Sequence, residues 1–140
     1  MASTTKEYNV FLSYAHQDKS WVAEFIHALQ TAGIRNWFDL NAVTPGELWP
    51  EKLQEALRQS ETLVVFLSPD SVKSPSVLFE VGAAVADHKR IIPVLVDDVD
   101  LRDIPALLVQ RQILRAASPS EAGEQVAELI GENAHSNETN

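Results

Sequence analysis

Thr62-Leu63-Val64-Val65-Phe66-Leu67 is the most continuous apolar run in the chain, and it stops at Ser68-Pro69-Asp70. A run this short and this uniformly apolar suits a strand covered on both faces, which points to the centre of a parallel sheet. Downstream, Ser74-Pro75 opens a helix: Ser74 can cap it, and Pro75 suits the first position because its missing amide would have no intrahelical partner there. Val77, Val81 and Val85, with Leu78 beside them, recur at helical spacing and predict the buried stripe. Ile91-Ile92-Pro93-Val94-Leu95-Val96 reads as the next strand, and Pro93 places it near an edge or a bulge.

Upstream, Tyr8 to Ser13 is a short apolar run ending on a polar residue, a buried strand. Trp21, Val22, Phe25, Ile26 and Leu29 follow at helical spacing until Gly33 supplies a stop. Ile34 to Phe38 predicts another strand, Asp39 to Gly46 a loop with a Pro-Gly turn, and Trp49, Leu53 and Leu57 a helix. Near the end, Gln112-Ile113-Leu114 reads as a brief fifth strand and Glu121 to Ile130 as a last helix. Strands alternating with helices require crossover connections. The expected fold is therefore α/β: a doubly wound, flavodoxin-like, five-stranded parallel sheet with helices on both faces. Residues 1–7 and the polar stretch 132–140 read as tails around one domain, 8–131.

Composition limits the partners. The formal net charge of −9 over 140 residues, with Lys and Arg scattered, opposes attraction to nucleic acid or anionic lipid. With no cysteine there can be neither a disulfide framework nor a thiol nucleophile. The amino-terminal residues lack the apolar core of a signal peptide, and no later run approaches a membrane span, so the expected compartment is the cytoplasm.

Sheets of this kind bind ligands beyond the carboxyl ends of their strands. Those ends carry Ser13 to His16, Asp39 to Asn41, Ser68 to Asp70 and Asp97-Asp98. The glycine-rich phosphate loop of dinucleotide folds is missing after the first strand, which reads Ser13-Tyr14-Ala15-His16-Gln17-Asp18. A phosphoacceptor aspartate is also missing, since Ser68 ends the third strand, and no hydrolase elbow is present. His16, His27, His88 and His135 lack metal-ligand spacing, and Asp97-Asp98-Val99-Asp100 reads as a solvated turn rather than a cation loop. No metal or cofactor is expected. Ser13 and Ser68 are expected to bond to turn backbone.

One charge remains. Glu80 sits in a stretch of apolar and small residues near the start of the helix opened by Ser74. Helical geometry places it off the valine stripe, on a flank with Ala83, Ala84 and Asp87, where small neighbours leave room beside it. A solvated helix residue is the ordinary reading of such a glutamate. Its position at the ligand-binding edge is the reason to consider chemistry.

Taken together, Tyr8-Asn9-Val10-Phe11-Leu12-Ser13-Tyr14-Ala15-His16-Gln17-Asp18 resembles the first box of the TIR (Toll/interleukin-1 receptor) domain family, bacterial type. Trp37-Phe38-Asp39 with Pro45-Gly46 looks like that family's second strand and BB loop. Leu67-Ser68-Pro69, Ser74-Pro75 and Phe79-Glu80 look like its third strand and the helix with its acidic residue. The resemblance spans Tyr8 to Ile130. It implies one of two classes: enzymes that cleave the nicotinamide glycosidic bond of NAD⁺, hydrolysing or cyclising the product in immune or stress signalling, or scaffolds that assemble with other TIR domains. In the enzymes the glutamate at the place of Glu80 is catalytic, and NAD⁺ is substrate rather than cofactor. By position, Ala15, His16 and Asn41 would lie on the substrate, and one of Trp37 and Phe38 would offer it a face while the other packs in the core. Ser76 stands where the enzymes usually carry an aromatic ring. In either class, self-association or binding to other TIR domains would run through the BB loop, Asp39 to Gly46. A nucleoside deoxyribosyltransferase-like enzyme shares the architecture, but the Tyr8 to Asp18 box argues against it.

Overall fold

The computed structural model describes residues 8–37 and 51–138, without the side chains of Tyr8, Trp37, residues 51–53 and residues 132–138. The expected strands at Phe38, the loop Asp39 to Gly46, and Trp49 lie outside the described residues. Strands β1 (Tyr8–Ser13), β2 (Asn36–Trp37), β3 (Ser60–Leu67) and β4 (Arg90–Leu95) are joined by helices α1 (Lys19–Thr31), α2 (Glu51–Arg58) and α3 (Pro75–Ala86). Two further helices follow, α4 (Ala106–Val109) and α5 (Pro119–Glu138).

All pairings are parallel, and the sheet order is β2-β1-β3-β4. The run that begins at Thr62 is indeed central: Leu63, Val64, Val65 and Phe66 are each 0% exposed. Each such side chain contributes about 1.5–3 kcal/mol when removed from water. The alternation of a strand divides them between two cores. Val10, Leu12, Val64 and Phe66 face α1 and α5, with Val22, Phe25, Leu29 and Val126. Phe11, Leu63, Val65 and Leu67 face the opposite layer, with Leu57, Val77, Val81, Ala84 and Leu108. On the first side, Phe25 and Phe66 meet edge to face at 4.8 Å, and Trp21 packs against both. There α5 lies so close to α1 that a Cβ built on Gly123 would fall 2.7 Å from Cβ of Ala28.

The expected fifth strand is reduced to a single bridge between Val94 and Leu114. Leu114 donates its amide to the Pro93 carbonyl at 2.8 Å, and Leu95 donates to the Leu114 carbonyl at 3.0 Å. Three residues, Gln112 to Leu114, are too few to extend this contact, and Gln112 is exposed. Pro93 is tolerated because its N and C=O share one side of the strand. Its carbonyl faces Leu114, so the missing amide also points away from β3. The second strand is shorter than expected among the described residues, because Arg35 turns its carbonyl to the amides of Asn9 and Val10 before the ladder begins. At the other end, α5 continues through Glu138, well into the stretch expected to be a tail.

Candidate active site

The order β2-β1-β3 makes β1 and β3 neighbours whose crossovers leave in opposite directions, and the carboxyl ends of such a pair open a crevice. Two serines close those ends. Ser13 is the last residue of β1, paired in register with Val65. Because it shares parity with Phe11, its side chain points into the layer of α2 and α3. Ser68 follows Leu67, shares parity with Phe66, and so points to the α1 side.

Helix α3 begins as expected: Ser74 accepts a hydrogen bond from the Val77 amide at 3.3 Å, and Pro75 occupies the first turn. Its buried face differs from the expected one. Val77, Glu80, Val81 and Ala84 are buried, Val85 is half-buried, and Leu78 is 42% exposed. The helix turns Ala84 rather than Leu78 toward the sheet beside Val77 and Val81, and this face carries Glu80 inward. The carboxylate expected on a solvated flank is only 7% exposed. An ionised group in such a place requires polar partners. Ser13, itself 1% exposed, donates its hydroxyl to Oε1 of Glu80 in a short hydrogen bond.

The second serine makes a matching arrangement on the other face. Ser68 donates its Oγ to Oδ2 of Asp18 at 2.5 Å, and Asp18 caps α1 by position. Ser68 and Ser71 also brace each other: the Ser71 amide donates to Oγ of Ser68 at 3.1 Å, and the Ser68 amide donates to Oγ of Ser71 at 2.9 Å. Partial burial pushes the Asp18 carboxyl above its usual range. The bond from Ser68 opposes that rise, and the nearby charges of Asp70 and Asp97 add to it. The expectation of bonding to turn backbone holds for Ser68, which accepts from the Ser71 amide, and each serine in addition donates to a carboxylate on a helical segment.

Of the other sequence-selected residues, Ala15 is 5% exposed and begins the 3-10 turn His16–Asp18, while His16 is exposed on that turn. Ser76 is half-buried one turn before Glu80 on α3. Trp37 lies in β2 beside Phe11, with only its backbone described. Phe38 and Asn41 lie outside the described residues. In the acidic turn, Asp100 accepts from the Arg102 amide at 2.9 Å and pairs with its guanidinium at 2.8 Å. Among the described residues no cluster of three or more His, Cys, Asp or Glu could hold a metal ion. Likewise, no described helix is long and apolar enough to cross a membrane. Sequence reasoning did not pair Ser13 with Glu80, and strand parity is the signal that could have done so.

Comparison with known proteins identifies the family and the fold. The family model described as TIR domain matches residues 10–130. A 2' cyclic ADP-D-ribose synthase of Acinetobacter baumannii is 29% identical over 136 residues, covering 91% of this chain. One from Bacteroides thetaiotaomicron is 31% identical over 111 residues, covering 74%. The chain spans only 51% and 39% of the lengths of those two proteins. The crystal structure of the TIR domain of a Toll-related receptor from Hydra magnipapillata superposes with a TM-score of 0.67 at 24% identity, covering 95% of this chain and 99% of that one.

Proposed function

This chain belongs to the TIR domain family, and on that premise we propose that it cleaves NAD⁺, releasing nicotinamide and an ADP-ribose product in immune or stress signalling. The observation that carries this reading is the buried carboxylate of Glu80 at the ligand-binding edge of the sheet, a costly placement for a residue with no chemical task. The relatives named as cyclic ADP-ribose synthases support it.

The chemistry needs little more than that charge. The bond from the ribose carbon to the nicotinamide nitrogen breaks with its electron pair going to nitrogen, which neutralises the pyridinium. Positive charge then builds on the ribose, and a carboxylate beside it stabilises the transition state more than the ground state. Because the leaving group is already cationic, no second acid is required, and NAD⁺ enters as substrate with no separate cofactor. Capture by water gives linear ADP-ribose, and capture by a hydroxyl of the same molecule gives a cyclic product. Ala15 and His16 after β1, Ser76 on α3, one of Trp37 and Phe38, and Asn41 are the residues we assign to substrate binding.

The test is to incubate the purified protein at high concentration with NAD⁺, with and without a crowding agent, and to measure nicotinamide and the ribosyl product by chromatography. Turnover per molecule should rise with protein concentration if assembly through Asp39 to Gly46 completes the cleft. A complete lack of nicotinamide release in every condition would reject the enzymatic reading. Ser76 in place of the usual ring favours the second reading, a non-catalytic scaffold or interference module. That reading requires self-association, or binding to another TIR domain, that is lost in Gly46→Val and kept in Glu80→Gln.

A further inference from the structure

We propose that Ser13 is a positioning residue for Glu80: its hydroxyl fixes the plane of the carboxylate and keeps it ionised for the reaction. This inference rests on the reading of Glu80 as the group that faces the ribose.

The placement of Ser13 is forced rather than incidental. Strand alternation turns the last side chain of β1 into the layer occupied by α3, and the neighbours on that face are Phe11, Val65, Leu67, Val77 and Val81. Among these apolar groups a hydroxyl must find a partner or lose about 1–3 kcal/mol. It finds Oε1 of Glu80, 67 residues away in sequence. Ser13 is 1% exposed, which excludes it from attacking substrate directly and leaves it the role of holding another group.

The chemical identity of the holder matters. A lysine or arginine in this position would neutralise the charge that the transition state needs. A serine hydroxyl is neutral: it donates to the charged form, favours that form over the acid, and leaves the net charge of the carboxylate intact. One fixed oxygen also removes rotation of the carboxylate about its last torsion, which is broad when unconstrained. The site therefore spends a buried polar residue on orientation, and orientation within fractions of an ångström is what turns a nearby charge into a catalytic one.

The experiment compares the parent, Ser13→Ala, Ser13→Thr and Glu80→Gln in full-length protein. Steady-state kinetics with NAD⁺ are combined with a pH titration of the Glu80 carboxyl by ¹³C NMR. Ser13→Ala is expected to lower kcat by about 10- to 100-fold with KM within about threefold, because the loss falls on the transition state. Its Glu80 titration should move to higher pH than in the parent. Ser13→Thr, which retains the hydroxyl, should recover at least part of the kcat and the parent titration, and if its methyl is not accommodated, Ser13→Cys gives a smaller test of the weaker donor. Melting curves identify any variant that fails to fold. A folded Ser13→Ala with parental kcat, or one whose Glu80 titration does not move, overturns the assignment. If the parent turns over and Ser13→Ala matches it, only the role of Ser13 fails. If the parent and all variants release no nicotinamide, the proposed function itself fails and takes this role with it.

Discussion

The two serine-carboxylate pairs at the strand ends are built alike and differ in what surrounds them. In each, a serine closing a central strand donates to a carboxylate on a helical segment beyond the neighbouring strand. Ser13 and Glu80 are both buried, at 1% and 7% exposed, on the side of α3. On the α1 side Ser68 is as buried as Ser13, and only its partner Asp18 is half-buried; Asp18 marks the start of α1 and Ser68 also braces the turn through Ser71. The contrast separates a bond that serves the fold from one that costs the fold something. A turn-bracing pair can sit where water supplements its hydrogen bonds, while a buried carboxylate is retained at a desolvation cost that calls for a functional return.

The largest expected difference is in turnover. Glu80→Gln keeps shape and removes charge, so nicotinamide release should fall by at least about 100-fold while the variant remains folded. Asp18→Asn should stay within about tenfold of the parent in the same chromatographic assay. Comparable losses in the two variants would erase the distinction between the pairs.

Stability should separate them in the opposite sense. Ser68→Ala removes the donor to Asp18 and the acceptor of the Ser71 amide together, and is expected to cost about 1–3 kcal/mol in chemical denaturation. A loss below about 0.5 kcal/mol would mean that water replaces both bonds and that the turn is not braced by this serine.

The pH dependence carries its own sign. Burial raises the native pKa of Asp18 above the unfolded value of 3.8. Between those two values the folded state holds more protons than the unfolded state, so stability falls as pH rises through the window, then levels off above the native pKa. Asp18→Asn removes that fall. The stability of the parent relative to Asp18→Asn, followed by denaturant midpoint from pH 3 upward, should therefore decline and then flatten, and a rising difference would show that the bond from Ser68 outweighs burial.

The smallest expected effect belongs to Ser76→Trp. Adding a ring one turn before Glu80 should maintain or modestly raise turnover. A folded variant with much lower activity would mean that the space at Ser76 is fitted to a different ligand pose.

Much of this molecule was legible in its sequence because the signals were local. The Thr62 to Leu67 run, the helical spacing of Val22, Phe25 and Leu29, and the Ser74-Pro75 start of α3 each reflect a propensity or a period that acts over a few residues. Pro93 indicated the sheet edge for the same reason. The fifth strand was overread, since Ile113 and Leu114 are apolar but the segment is too short to build a ladder. Glu80 could be singled out as the one charge in an apolar stretch, yet the expected stripe of Val77, Leu78, Val81 and Val85 left it on a flank, whereas the buried face is Val77, Glu80, Val81 and Ala84.

The sequence by itself determined the alternation of strands and helices, the two-sided burial of the central strand, and the candidacy of Glu80, because periodicity and charge are written residue by residue. Only the tertiary structure decided that Glu80 is buried, that Ser13 holds it, and that Ser68 holds Asp18 on the opposite face. Those facts depend on helix rotation and strand register across separations of 67 and 50 residues, and both are set by how close the packed layers can come rather than by any local preference.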